Sequence, residues 1–183
     1  MTTDTCWRLN VDLICRCSKH FPFKILLLIY NSYINSKLNY AIEAWGNAPQ
    51  KYLNKLHVFQ KKVMRILNKK PFDHPTTLLF KKCKILNIYQ TYEFKITKRA
   101  HKQYYSDNIS CQSLVTTGYS HFNLSLPPST SAAGHRRTEF QVAKLWNSPP
   151  INLRAISDPI EFGRELRLHL LWWAAGVLSG WTS

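Results

Sequence analysis

"LNYAIEAWGNAPQKYLNKLHVFQKKVMRIL", residues 38–67, carries a helix stop followed by a long amphipathic run. Gly46, Asn47 and Pro49 form a stop signal for a preceding helix. From Gln50 to Asn68 the apolar residues return at helical rather than alternating intervals. Stepping about 100° per residue from Leu53 gathers Leu56, Phe59, Val63, Met64, Ile66 and Leu67 on one broad face. Lys51, Lys55, Lys61, Lys62 and Arg65 gather on the other, with Val58 the one large apolar residue among them. This predicts a helix that buries one side and presents cations on the other.

The same plan extends outward. Upstream, Pro22 suits a first helical turn, and "FKILLLIYNSYINSKLNYAIEAW" continues in mostly apolar steps, which predicts one long helix. Downstream, "NKKPFDHP" breaks the pattern, and a short helix from Thr76 to Cys83 carries Leu78, Leu79 and Phe80. "IYQTYEFKITKRAHKQYY" then predicts a third long helix. Tyr89, Tyr92, Ile96, Ala100 and Tyr104 share one side of it, and Lys95, Lys98, Arg99 and Lys102 share another. Residues 107–135 turn to Ser, Thr, Pro and Gly, the composition of a loose linker, where proteolysis is expected to cut first. Beyond it, "EFQVAKLWNSPP" predicts a short helix ended by Pro149 and Pro150. "SDPIEFGRELRLHLL" predicts another, capped by Ser157, with Ile160, Phe162, Leu166 and Leu170 on one face. No repeat and little strand signal is present. The expectation is an all-α chain: a lead-in at 1–19, a small basic helical bundle at 20–106, the linker, a C-terminal helical block at 136–170 and an atypical apolar tail at 171–183.

Net charge points to the partner. The chain carries 25 Lys and Arg against 10 Asp and Glu, a formal +15. Fourteen of the cations and only two of the acids, Asp73 and Glu93, fall between Lys51 and Lys102. Such an excess, with few acids at the four-residue spacing that would neutralise it, is the footprint of a polyanion-binding surface. Lys55, Lys61, Lys62 and Arg65 on the second helix, Lys95, Lys98, Arg99 and Lys102 on the third, and Arg136 and Arg137 after the linker are the candidate phosphate contacts. On this reading the third helix extends the surface of the second, and nucleic acid is bound weakly and without sequence preference.

Catalytic chemistry finds no foothold. Glycine-rich phosphate loops, paired metal-binding histidines and nucleophile elbows are all absent from the sequence. "YSDN" at Tyr105–Asn108 superficially resembles a polymerase Tyr-x-Asp-Asp, but a lone Asp107 cannot clamp two metal ions. The seven histidines do not cluster, and His57 falls at the edge of the second helix's apolar face. Trp45 and Trp146 are expected to anchor the core rather than stack on bases. The five scattered cysteines lack zinc-site spacing and suit reduced thiols. The N-terminus lacks the apolar core of a secretory signal. An intracellular chain, in cytoplasm or nucleus, is therefore expected, with no cofactor, small-molecule substrate or membrane-spanning segment.

Two blocks carry a family resemblance. The first is Tyr40, Trp45-Gly46, then Leu53, Leu56, Gln60-Lys61-Lys62, Arg65 and Ile66. The second is "KLWNSPP" at 144–150 followed by Phe162. In this order they resemble the region after the polymerase palm in reverse transcriptases of non-LTR retrotransposons, of the jockey-like or CR1-like type. Pro149 stands where that family has leucine, and "WWAAGVLSGWTS" matches nothing in it. The resemblance spans roughly residues 20–170. It implies a thumb-like domain that grips template–primer duplex, in a truncated copy without the endonuclease or the palm whose aspartates would hold Mg2+. The chain itself is then expected to synthesise nothing. Two rivals from other classes are a basic helical protein-interaction module and a peripheral membrane binder using the tail.

Overall fold

The computed structural model describes residues 3–106 and 123–173. Every element longer than a single bridge residue is helical, so the chain is all-α, and no sheet forms among the described residues. The helices are α1 (Thr3–His20), α2 (Phe23–Ile29), a π-helical turn (Tyr30–Asn35), α3 (Ser36–Asn39), α4 (Ile42–Trp45), α5 (Gln50–Leu67) and α6 (Thr77–Cys83). They continue with α7 (Ile88–Ser106), α8 (Ala132–His135), α9 (Thr138–Asn147), α10 (Ile151–Arg154) and α11 (Pro159–Trp173). The chain divides into two compact units, with the boundary between Thr91 and Tyr92, inside α7. The helical bundle read from the sequence as 20–106 therefore gives its last stretch to the second unit.

In the first unit α1 packs on α5 and α2. The segment read as a lead-in is thus a full helix. Its signal was short: Val11, Ile14 and Ser18 step at helical spacing, and of these Ile14 is buried. The long helix expected from Phe23 to Trp45 is instead interrupted. Its buried residues, Leu26, Tyr30, Ile34, Leu38 and Ile42, recur every fourth position. An α-helix turns about 40° too far over each four-residue step, so an unbroken helix would carry this stripe off the core. The wider turn at Tyr30–Asn35 unwinds part of that drift. Side chains take up carbonyls along it: Ser32 Oγ donates to Leu28 O at 2.9 Å and Asn39 Nδ2 to Asn35 O at 2.7 Å. The helix then breaks at Tyr40 and Ala41, the latter left-handed at φ 49°. The Trp45 indole N–H donates to Tyr40 O at 2.7 Å, satisfying a carbonyl that the break exposes.

α5 buries Leu53, Phe59, Val63, Met64 and Leu67, as its periodicity predicts, whereas Leu56 and Ile66 are half-buried. Both α5 and α6 end in the same way. Lys69 and Lys84 adopt left-handed φ of 52° and 53°. The next residues reach back five positions, Lys70 N to Arg65 O at 2.9 Å and Ile85 N to Phe80 O at 3.0 Å. This is the six-residue helix closure usually built on glycine.

In the second unit Ile96, Thr97, Ala100 and His101 of α7 are buried, as are Ala143, Leu145 and Trp146 of α9 and Phe162, Leu166 and Leu170 of α11. Ile160, read as part of that α11 face, is 81% exposed instead. The cap of α11 is Asp158 rather than Ser157: its Oδ2 accepts from Glu161 N at 2.8 Å, and Pro159 takes the first helical position. Asn147 brackets Leu124, accepting from its N at 3.0 Å and donating to its O at 2.8 Å. The Leu-Trp-Asn block is therefore a packing device. Residues 107–122 and 174–183, most of the expected linker and tail, with Asp107 among them, lie outside the described residues.

Candidate nucleic-acid interface

The interface begins with a polar residue at the centre of a buried helix face. Gln60 lies opposite Lys51 on the α5 wheel, at the centre of the inward face, and is 1% exposed. Its Nε2 donates to the Tyr30 hydroxyl at 3.0 Å and to Leu86 O at 3.1 Å, and its Oε1 accepts from Ile88 N at 3.0 Å. One side chain thus joins the π-helical turn, the α6–α7 connection and the start of α7 to α5. Tyr30, fully buried, has its pKa pushed up to about 12, chiefly by burial. Gln60 fixes the rotation of α5, and that rotation decides which residues face out. Hydrophobic counting passed it over, although the wheel itself placed it at the centre of the buried face.

Facing out, Lys51, Lys55, Val58, Lys62 and Arg65 form a stripe within about 40° of the Lys51 direction, at steps of four, three, four and three residues. Its length is roughly 21 Å at about 1.5 Å per residue. Lys51, Lys55 and Lys62 are exposed and form no ion pair with a described carboxylate. Val58 is half-exposed within the stripe. Lys61, read as a phosphate contact, is half-buried at the edge beside His57. Burial first, and Lys61 second, lower the His57 pKa to about 4, so this imidazole is neutral at physiological pH. His57 packs edge-on against Tyr89, with ring centroids 5.2 Å apart, a half-buried position like that expected from the sequence.

Arg65 also has a structural contact. It is half-buried, and its Nε donates to His74 O at 2.9 Å, tying down the turn after α5. Its guanidinium lies 5.3 Å from the centroid of Phe72, whose ring is 74% exposed. At the other end of the stripe, Lys51 Nζ lies 5.5 Å from the Tyr52 ring, itself 55% exposed. Neither aromatic was singled out by periodicity, because each sits outside the apolar repeat.

In the second unit Lys98, Arg99 and Lys102 are exposed on α7 and Lys95 is half-exposed. The Lys98 side chain runs past Gly163, where an added Cβ would stand 3.5 Å from Nζ. Arg136 and Arg137 are exposed between α8 and α9, Arg137 at the N-cap of α9. The α5 cations thus belong to one unit and the α7, Arg136 and Arg137 cations to the other. Trp146 is fully buried, while Trp45 is only half-buried.

Among the described residues no group of three or more His, Cys, Asp or Glu could hold a metal ion. No described helix is long and apolar enough to cross a membrane. Cys15, Cys17 and Cys83 carry free thiols. Comparison of the chain with protein-family models, curated proteins and solved structures gives no match.

Proposed function

We propose that this chain is a nucleic-acid-gripping helical region, equivalent to the thumb and post-palm segment of a non-LTR retrotransposon reverse transcriptase, and that it is not itself catalytic. The observation that carries this reading is the α5 stripe. Lys51, Lys55 and Lys62 are exposed in a row on a helix whose opposite face is locked into the core by Gln60. Cations held in a line on a rigid element suit a phosphate backbone, which they position without reading sequence. The two sequence blocks that resemble the family support the reading from another side, and within them Gln60, Trp146 and Asn147 are packing residues. The second unit carries its own exposed cations, Lys98, Arg99 and Lys102.

The experiment is a salt series read by fluorescence anisotropy on an RNA–DNA hybrid. Each lost phosphate contact flattens the slope of log affinity against log salt by about 0.9 on duplex. Lys51, Lys55 and Lys62 replaced together by alanine are expected to reduce the slope by about two to three units, equally for any sequence. Arg65 is left intact in this variant because it holds the following turn. Helical content is expected to stay constant, since alanine favours helix at exposed positions. An unchanged slope refutes the reading.

A second reading, as a protein-interaction module, draws on a different observation. Phe21, Ile25 and Leu28, four and three residues apart around α2, are all exposed. Binding to an acidic protein or heparin, with none to hybrid, would favour it.

A further inference from the structure

We infer that the α5 stripe takes an unpaired nucleic-acid strand, with phosphates along Lys55 and Lys62 and bases stacked on Tyr52 and Phe72 at its two ends. This rests on the nucleic-acid reading above and narrows it, since phosphate contacts alone do not distinguish a single strand from a duplex.

The aromatic rings carry the argument. A cation stripe needs no aromatic partner to hold a duplex, whose base faces are already stacked on one another. Here each end of the stripe carries an exposed ring beside its terminal cation, Tyr52 beside Lys51 and Phe72 beside Arg65. Cationic grooves flanked by aromatic faces are the arrangement that holds unpaired strands, because every base offers a π-face whatever its identity. Phe72 is also held in place. His74 N donates to Pro71 O at 3.2 Å, closing a turn with Phe72 at its tip, and Arg65 Nε fixes the far side of that turn at His74 O. A phenylalanine exposed on a tethered turn loses apolar burial that a polar residue would not forgo. Asp73, next to it and exposed, would repel a phosphate at the tip and leave that position to a base. The stripe's length of roughly 21 Å corresponds to about six nucleotides at the ~3.4 Å spacing of a stacked strand.

The test uses the full chain, a mixed-sequence single-stranded RNA, and the RNA–DNA hybrid of the same sequence, each titrated across a salt series, with affinities compared at the same salt concentration. Phe72→Ala and Tyr52→Ala are each expected to weaken single-strand binding about tenfold and to change hybrid binding by less than about twofold. Phe72→Trp is expected to keep or tighten single-strand binding. Phe72→Leu, apolar but unable to stack, is expected to behave like the alanine variant. The salt slope should not move in any of them, since no phosphate contact is removed. RNA substituted with 5-iodouridine should photo-crosslink to Tyr52 and Phe72. Equal losses on both ligands, no loss, or recovery by leucine would overturn the stacking inference. If hybrid binding still depends on Lys51, Lys55 and Lys62 in that case, the broader reading stands. If the wild type binds neither ligand, both fall.

Discussion

At the scale of single residues, the chain depends on a buried amide that periodicity does not single out. Gln60 answers three polar groups from outside α5: the Tyr30 hydroxyl, Leu86 O and Ile88 N. Gln60→Leu keeps the volume but strands them. At about 1–3 kcal/mol for each buried group left without a partner, a loss of at least ~3 kcal/mol is expected in denaturant unfolding. Adding Tyr30→Phe should recover part of it, because one stranded hydroxyl is then gone; a fully additive double variant would argue against the pairing. The two tryptophans separate in the same way. Trp146 is fully buried, so Trp146→Ala is expected to cost about 3–5 kcal/mol. Trp45 had been expected to anchor a core, but it is half-buried and its clearest contribution is one hydrogen bond to Tyr40 O. Trp45→Ala should therefore cost about 1–2 kcal/mol, visibly less than Trp146→Ala in the same assay.

At the scale of elements, helix ends show where the chain accepts strain. α5 and α6 both close through a lysine in the left-handed region, where glycine bears no Cβ penalty. Lys69→Gly is expected to raise stability by about 1 kcal/mol, measured as a higher denaturation midpoint with an unchanged slope. A destabilised variant would mean that the lysine side chain supports the following turn. The sequence located these ends well, at Asn68 and Cys83; Pro71 and the polar run after α5 mark the first of them. It did not locate the interruption at Tyr30–Asn35. Leu26, Tyr30, Ile34 and Leu38 look like one helical face over any short window, and the drift of a strict four-residue repeat shows only over several turns.

At the scale of the whole molecule, buried titrating groups set how stability responds to pH. The folded pKa of His57, about 4, lies below its ordinary 6.5. Between those values the unfolded chain binds more protons, so the contribution of His57 is complete above pH 6.5 and falls away as pH drops toward 4. Glu93 acts in the opposite sense. Burial raises it from 4.5 to about 7, so its contribution is present at low pH and is lost as pH rises through 7. The wild-type curve mixes the two, and the comparison with His57→Phe isolates the first. The difference in unfolding free energy between wild type and variant is expected to shrink by on the order of 1–2 kcal/mol per the acid window, after allowing for solvent reaching the ring. A difference that stays flat from pH 7 to 4 would mean that His57 titrates normally.

Helical period, the stops at Gly46–Pro49 and Pro149–Pro150, and the segregation of cations from apolar residues on α5 were all decided by the sequence itself. Each depends on neighbours within four residues, and the 3.6-residue turn converts such spacing directly into faces. The all-α architecture followed from that alone. Which polar residues are buried was decided only by tertiary structure. The partners of Gln60 lie 26 to 30 residues away, and those of Asn147 lie 23 residues away. The same holds for the candidate interface. Sequence put the cations on one side of a helix, but only the fold takes Arg65 into a turn and leaves Tyr52 and Phe72 exposed beside the stripe. Exposure belongs to a side chain's surroundings, and those are assembled from distant parts of the chain.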